Sequence, residues 1–427
     1  MLSRPSGLVG AAACAVLLLA PAVASAKPGE DKVIAGPVDY NATDHTFRTL
    51  TIKSGGTLRI LPMNAGKPLM ISANTIVIEQ GGMITVDQAG YAGMGNAAGA
   101  APPSTTGGGG YGLNVGMPGG GGAMFGAGAN GALSSACTDN ASSPGGAAFF
   151  DAVNNTPESG AAGGAAHTPT GVATQGASGG GVIVLRAGKI TIDGALSARG
   201  GSANPAIGGV GPGGGAGGTI KLVAGLVDGS GSISVRGGDG AHGNGQPPTY
   251  QSNDGGGGSG GVIVLELGVT LPATVTTDLA GGKTGSCSTS GAAGGIVQLS
   301  LAGGCLDLDS DGQNAASCGG PDCDDTRDDV NTTAKETCDG EDNDCKGGVD
   351  DGDLCAGEQI CSDGKCIDNP DAGTDAGGAS DGGLPDHVEF GGGCAVPARG
   401  GLAEGAIGAG LLALGTLFLG ARRRRRR

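Results

Sequence analysis

The stretch Gly181-Val182-Ile183-Val184-Leu185 decides the fold, because variants of it recur along the chain. The other copies are Gly218-Thr219-Ile220-Lys221-Leu222, Gly261-Val262-Ile263-Val264-Leu265 and Gly295-Ile296-Val297-Gln298-Leu299. The residue after the glycine falls at 182, 219, 262 and 296, and an earlier relative begins at Thr75-Ile76-Val77-Ile78. Repetition at intervals of tens of residues indicates stacked structural units.

Each copy alternates apolar and other residues with a period of two, which is the pattern of a β-strand. We expect Ile183 and Leu185 to face a core that the copies share, while Thr75, Thr219, Lys221 and Gln298 face water. The counterparts expected in that core are Ile76 and Ile78, Ile220 and Leu222, Ile263 and Leu265, and Val297 and Leu299. A shorter strand follows several copies, with Ile84 and Val86, Ile190 and Ile192, and Ile233 and Val235 pointing inward.

Composition supports a repetitive all-β fold over residues 27–304. The chain has 95 Gly, no Trp and 2% aromatic residues, which argues against the core of a compact α/β enzyme. We predict a Gly-rich parallel β-helix or β-solenoid, with a Gly-rich β-sandwich as the alternative. Glycine-rich loops such as 200–218 and 237–261 are expected to project from it, and the low-complexity insertion 91–178 is expected to be loosely ordered.

The first 26 residues have the pattern of a secretory signal peptide. Arg4 precedes an apolar run over 8–20, and Ala24-Ser25-Ala26 supplies a small-residue cleavage site. We therefore predict an exported protein.

The C-terminus has the pattern of a membrane anchor. A disordered linker is predicted for 367–393, followed over 394–427 by Cys394, an apolar stretch over about 405–421 and the cluster Arg422–Arg427. One reading is a simple transmembrane helix. The combination also resembles the MYXO-CTERM sorting domain of myxobacteria, which implies a sorting protease, removal of the tail near Cys394 and lipid attachment at Cys394. Both readings place the protein at the cell surface, anchored to the envelope at the outer membrane.

Residues 305–366 form a separate acidic, cysteine-rich module. Its eight cysteines are Cys305, Cys318, Cys323, Cys338, Cys345, Cys355, Cys361 and Cys366. In an exported chain they indicate disulfide bonds, although 105 pairings are possible and the spacing does not select one. Cys137 and Cys287 remain to pair with each other.

The module carries three acidic clusters. Alternating aspartates followed by glycine can curl around a hard cation, although the twelfth position, where an EF-hand has Glu, is Cys318. The candidate metal ligands are Asp307, Asp309 and Asp311 in the first cluster, Asp322, Asp324 and Asp325 in the second, and Asp339, Asp342, Asn343 and Asp344 in the third.

The Asp-Cys-Asp-Asp step at 322–325 and the step at 338–345 resemble a metal-binding repeat of bacterial surface proteins. The name of that family connects the repeat with copper, but this module has no His or Met, and oxygen ligands favour Ca²⁺. The alternative is an acidic, disulfide-stapled spacer that binds no ion tightly.

Charge and motif content favour a non-enzymatic role. Residues 305–389 contain 24 acidic and 4 basic side chains, which is unsuited to nucleic acid. We expect a structural or adhesin-like surface protein with a Ca²⁺ module, whose candidate partners are extracellular polysaccharide and other surface proteins. One alternative is a polysaccharide-modifying β-helix enzyme, and another is a metal-binding protein displayed on the solenoid. The enzyme would draw on Asp87, Asp193, Asp228, Asp239, Arg199 and Arg236, most of which sit where ordinary turns are expected.

Overall fold

The computed structural model describes residues 29–369 apart from 41–43, 61–67, 96, 104, 113–115, 134–136, 140–142, 152–155, 169–172, 206–208 and 245–252. The predicted signal peptide (1–26), the sorting segment (394–427) and all but the first three residues of the linker (367–393) therefore lie outside the described residues. Within the described ranges, no helix has the length and apolar character needed to cross a bilayer.

The described residues form twenty strands and two short 3-10 helices, Ala302–Gly304 and Ala316–Cys318. In chain order the strands are β1 Asp31–Ile34, β2 Pro37–Tyr40, β3 Asp44–Ile52, β4 Thr57–Ile60, β5 Pro68–Ile78, β6 Met83–Thr85, β7 Ala132–Leu133, β8 Thr138–Asp139, β9 Ala166–His167, β10 Ala173–Thr174, β11 Val182–Ile192, β12 Ala195–Ser197, β13 Thr219–Asp228, β14 Ser232–Ser234, β15 Asn253–Asp254, β16 Val262–Leu267, β17 Thr276–Asp278, β18 Gly295–Ser300, β19 Gln359–Ser362 and β20 Lys365–Asp368.

Two parallel sheets dominate the structure. The long sheet has the order β1-β3-β5-β11-β13-β16-β18, and the short sheet has the order β17-β14-β12-β6-β4-β2. The chain passes from a strand of the long sheet to a strand of the short sheet and back, so each passage adds one strand to both. The prediction of an all-β fold with parallel sheets is confirmed over the described residues. We call residues 29–301 the stacked-sheet region.

The core lies between the two sheets and is almost wholly aliphatic. Inward-facing residues of both sheets join one buried cluster, including Ile183 and Leu185 of the long sheet and Leu196 and Ile233 of the short sheet. Both sheets contribute mainly Ile, Leu, Val and Ala side chains to this cluster, and such side chains pack densely.

The strand pairing differs from the sequence repeat at the last copy. Val262 pairs with Gly295 rather than with Ile296. A shift of one residue moves every side chain of a strand to the opposite face. Val297 and Leu299, predicted to be inward, therefore pack with an outer cluster around Val262 and Val264, and Ile296 is 43% exposed at the end of the core.

The first copy is also longer than the sequence suggested. Val182 of β11 pairs with Pro68, whereas Thr75 pairs with Lys189 in the second half of the same strand. Thr75–Ile78 is thus the continuation of the repeat that begins at Pro68. Proline and methionine at 68 and 70 hide this relation, because they interrupt the β-branched pattern that identifies the other copies.

The glycine-rich segments do not project as loops. They run beside one another as extended backbone joined by direct hydrogen bonds, such as those from the amide of Gly164 to the carbonyl of Gly120 (2.8 Å) and from Gly213 to Gly164 (3.0 Å). A Cβ atom at Gly213 would overlap the carbonyl oxygen of Gly120. We call these packed segments, which lie within 89–181, 198–218, 235–261 and 279–295, the glycine layer.

The expectation of a loosely ordered insertion is therefore wrong for the described part of 91–178. Low complexity indicates disorder when a chain cannot bury enough surface. Here the absence of side chains lets backbone groups approach and satisfy one another. The glycine layer also covers part of the outer face of the long sheet, so Thr219, predicted to face water, is fully buried and its hydroxyl donates to the carbonyl of Glu158 (2.6 Å).

Candidate metal centre

Four disulfide bonds staple the acidic module, and a fifth joins Cys137 to Cys287 within the glycine layer. In the module the pairs are Cys305–Cys318, Cys323–Cys345, Cys338–Cys361 and Cys355–Cys366. All eight module cysteines are thereby oxidised, so none of them offers a thiolate to a metal. The bonds hold the acidic loops in place in a segment whose only strands, β19 and β20, form one small hairpin.

The first acidic loop curls because aspartate side chains accept hydrogen bonds from the backbone ahead of them. The amide of Gly312 donates to Asp307 (3.1 Å), that of Asp311 to Asp309 (3.2 Å) and that of Gln313 to Asp311 (2.7 Å). This is the local bonding that makes Asp a turn residue. Each carboxylate uses one oxygen in this way, and one carboxylate oxygen from each of the three residues lies within 4.8 Å of the others.

The second acidic step lies against this loop. The carbonyl of Asp322 accepts from the amide of Ala316 (2.6 Å), and the carboxylate of Asp325 accepts from the amide of Leu308 (3.1 Å). Asp322 and Asp325 are 1% and 0% exposed. An oxygen of each lies within 4.8 Å of the other and of an oxygen of Asp309. Asp309 thus joins the two sets into one group of five carboxylates.

One oxygen of each of these five carboxylates is buried and has no hydrogen-bond partner. The five atoms are Asp307 Oδ1, Asp309 Oδ2, Asp311 Oδ2, Asp322 Oδ2 and Asp325 Oδ2. Buried charged oxygens without a partner are costly, and clustered like charges add to that cost. The cluster therefore lacks a positive group that would satisfy these atoms. We call these five residues the Asp cluster.

The electrostatics of the Asp cluster agree with this reading. Burial, reinforced by the neighbouring carboxylates, raises the pKa of Asp322 to about 7 and that of Asp325 to about 8. Burial and neighbouring aspartates also raise the pKa of Asp309. Without a cation, the site resists full ionisation at neutral pH. A bound cation would reverse this by favouring the charged form of each carboxylate.

The residues of the Asp cluster fit a hard divalent cation. Ca²⁺ takes six to eight oxygen ligands at about 2.3–2.6 Å, so ligands on opposite sides of the ion are about 5 Å apart. Within each set of three aspartates, carboxylate oxygens lie within 4.8 Å of one another, which matches that span. The donors are all carboxylate oxygens, without the imidazole or sulfur ligands that copper prefers.

Asp324 does not belong to the Asp cluster, although its neighbours do. Its carboxylate accepts from the side-chain amide of Asn74 (3.0 Å) and from the hydroxyl of Thr326 (2.6 Å). Asn74 lies on β5, so Asp324 connects the module to the long sheet. Within the run Asp322-Cys323-Asp324-Asp325, Asp322 and Asp325 therefore face the Asp cluster, whereas Asp324 faces the long sheet.

The side chains of the third predicted cluster accept hydrogen bonds from groups of their own loop. Asn343 accepts from the amide and hydroxyl of Thr337 (3.0 and 2.8 Å), and the amide of Lys346 donates to both Asp342 (3.1 Å) and Asp344 (3.0 Å). Asp339 accepts from the amide of Glu341 (3.0 Å).

Sequence reasoning also overlooked Glu336, which lies with Asp342 and Asp344. Its oxygens accept from the amides of Asn343 (2.8 Å), Asp344 (3.0 Å) and Asp350 (3.0 Å). The third cluster therefore organises the loop, and the Asp cluster is the better candidate for an ion.

The module is seated on a column of small residues in the long sheet. The strand pairing skips Asn74, Gly188 and Gly225, which lie side by side on β5, β11 and β13. The hydroxyl of Ser317 donates to the carbonyl of Asn74 (3.1 Å). A Cβ atom at Gly188 would overlap Ser317, and one at Gly225 would crowd Cys318. The glycines therefore let the helix Ala316–Cys318 lie directly against the sheet.

The aspartates considered for catalysis take part in structural contacts. Asp87 accepts from the hydroxyl of Ser197 (2.6 Å) and the amide of Arg199 (2.7 Å), which belong to the next passage of the chain. Asp193 accepts from the amide of Ser230 (3.0 Å) in the same manner. Asp228 pairs with Lys189 (2.9 Å), and Asp239 pairs with Arg236 (3.5 Å) and accepts from the amide of Lys283 (2.8 Å). They join successive passages of the chain.

A comparison of the chain with protein-family models, with curated proteins and with solved structures finds no match.

Proposed function

We propose that this chain is a non-enzymatic structural or adhesin-like protein of the cell surface, in which a β-solenoid is stiffened by Ca²⁺ bound at the Asp cluster. The observation that carries the proposal is the convergence of five carboxylates, each with a buried oxygen that lacks a partner. The alternation of the chain between two parallel sheets supports the solenoid reading. Solenoids present long surfaces, which suit contact with polysaccharide or other surface proteins.

Ca²⁺ in the Asp cluster would act as a cross-link. It would join the loop 307–312 to the step 322–325, and both are already tied to the remainder of the fold. Asp324 contacts Asn74 of the long sheet, and the disulfide Cys305–Cys318 encloses the loop 307–312. The ion would attract carboxylates that otherwise repel one another. It would therefore stabilise both the module and its contact with the long sheet.

The proposed location is the exterior of an envelope to which the C-terminal segment is anchored. The five disulfide bonds support it, because such bonds persist in oxidising compartments. The sequence pattern supports the signal peptide and the sorting segment. The sorting segment would bring the chain to a membrane and a sorting protease, and Cys394 would be its site of processing or lipid attachment. The engagement of Asp87, Asp193, Asp228 and Asp239 in structural contacts favours this function over the polysaccharide-modifying enzyme.

Calorimetric titration of the full chain with Ca²⁺ tests the metal proposal. We expect saturable binding and a higher melting temperature, both lost in Asp309→Asn, because Asp309 belongs to both halves of the cluster. Asp353→Asn is the matched control, since Asp353 is an exposed aspartate of the same module. Absence of heat and of thermal stabilisation with Ca²⁺ would refute the proposal, and preference for Cu²⁺ would refute the choice of ion.

Mass spectrometry of the protein recovered from its native membrane tests the anchoring proposal. We expect a mature chain that starts near Lys27, ends near Cys394 and carries a lipid there. Cys394→Ala should retain the arginine tail and lose the modification. An intact chain from Met1 to Arg427 in the cytosol would contradict the proposed location.

A further inference from the structure

A groove of about 520 Å³ lies on the outer face of the long sheet. Its floor consists of outward-facing side chains of β5, β11, β13 and β16, and its walls come from two other parts of the chain. Its charged lining residues are Arg186, Lys221 and Glu266, and most of the others are aliphatic, such as Met70, Val184 and Val223. The volume is within the usual range for small-molecule sites.

The groove exists because the glycine layer covers only part of the outer face. Over β16 and β18 the face is covered by the outer cluster around Met124, which Phe125 and Phe150 join. The cover reaches the groove at Pro157, and the opposite wall is Leu301 and Leu306, at the junction with the acidic module. The groove is therefore bounded by three separate parts of the fold rather than by one loop.

The cations on the floor are not equivalent. Lys221 is paired with Glu266 (3.1 Å). Arg186 lies opposite Ser72 on β5 and Val223 on β13, so Val223 separates it from Glu266. Among the described residues Arg186 has no hydrogen-bond or ion-pair partner, and the groove has an uncompensated positive charge.

We propose that this groove binds a small amphiphile with a single aliphatic chain and a carboxylate head, held by Arg186. A guanidinium binds a carboxylate through two parallel hydrogen bonds and is the side chain best suited to it. The remainder of the lining is mainly aliphatic, with no aromatic ring for stacking against a sugar. Four adjacent strands span about 14 Å, which matches an extended chain of about ten carbons.

Equilibrium dialysis of the full chain with radiolabelled decanoate, below its micellar concentration, tests the proposal. We expect saturable binding at one site, weakened about tenfold or more in Arg186→Gln, because a hydrogen-bonded charge is lost. Arg236→Gln is the control, since Arg236 lies outside the groove and pairs with Asp239. Its affinity should equal that of the unaltered chain.

A second variant should raise the affinity for decanoate, a result that misfolding cannot produce. Glu266→Gln frees Lys221 from its partner and doubles the uncompensated positive charge on the floor. We expect it to bind decanoate more tightly than the unaltered chain. Equal affinity for decanoate and decanol, unchanged by Arg186→Gln, would overturn the proposal, as would tighter binding of decylamine than of decanoate.

Discussion

The stacked-sheet region and the acidic module are stabilised by different interactions. The stacked-sheet region has few of the large aromatic side chains that build most cores, and the module has none. The stacked-sheet region buries aliphatic residues between two sheets and lets glycine backbones bond to one another. The module buries carboxylates and relies on four disulfide bonds. The first therefore depends on the absence of side chains, and the second depends on covalent bonds and an ion.

The largest difference should appear on reduction. In metal-free buffer with a reducing agent, we expect residues 305–366 to unfold while the long sheet stays folded. Each module disulfide closes a loop of 11 to 23 residues, and such a bond contributes about 3 kcal/mol. Hydrogen exchange should show loss of protection in the module and its retention in β11 and β13.

Reduction also opens the bond between Cys137 and Cys287, so Cys137→Ser with Cys287→Ser is the control for that effect. Retained protection of the module after reduction would contradict the role given to its disulfides.

The glycine layer depends on the absence of side chains, so a single added methyl group should destabilise it. A Cβ atom at Gly217 would overlap the carbonyl oxygen of Val235. We expect Gly217→Ala to lower the free energy of unfolding by about 3 kcal/mol or more, because two backbones must separate. Gly36→Ala is the control, since a Cβ there meets no atom within 4 Å. Equal unfolding midpoints in a denaturant titration of the two variants would contradict the proposed packing.

The stability of the metal-free protein should depend on pH because of the carboxylates buried in the module. The pKa values of Asp322 and Asp325, about 7 and about 8, exceed the ordinary 3.8. Between about pH 4 and pH 8 the folded chain therefore binds more protons than the unfolded chain, so stability falls as pH rises through this window. Ca²⁺ should abolish the fall. Melting temperatures at pH 4.5 and 8.5, with and without Ca²⁺, measure this, and a melting temperature of the metal-free protein that rises with pH would contradict it.

The smallest effect concerns the contact between the regions. Asn74→Ala removes the hydrogen bond to the buried carboxylate of Asp324. We expect a loss of about 1–2 kcal/mol in the free energy of unfolding, because one of the hydrogen bonds to a buried carboxylate is lost. Hydrogen exchange around Ser317 should also increase. Gln80→Ala, in the exposed turn after β5, is the control, and an equal response of the two variants would show that the contact contributes nothing.

The sequence was most informative where the physical pattern is local. Alternation over five residues correctly predicted that Ile183, Leu185, Ile220 and Leu222 are buried, because a strand turns successive side chains to opposite faces. It failed at Val297 and Leu299, because Gly295 lies within β18 and pairs with Val262, which shifts the copy by one residue. A register is set by the neighbouring strand, and no neighbour is visible in a local pattern.

The acidic clusters show the same division. Spacing within 307–312 was enough to predict a curled carboxylate loop, since each Asp bonds to backbone only two to five residues ahead. Spacing did not distinguish Asp324 from Asp322 and Asp325. Which of three adjacent carboxylates faces the cluster depends on Asn74, which is 250 residues away in sequence.

The sequence by itself thus determined the strands, the disulfide-rich character of the module and the supply of oxygen ligands, because each follows from the chemistry of near neighbours. Only the tertiary structure decided that glycine segments pack into a layer, that two sets of aspartates meet at Asp309, and that Arg186 has no partner among the described residues of an aliphatic groove. These features depend on distances between residues far apart in the chain, and those distances arise only when the whole chain has folded.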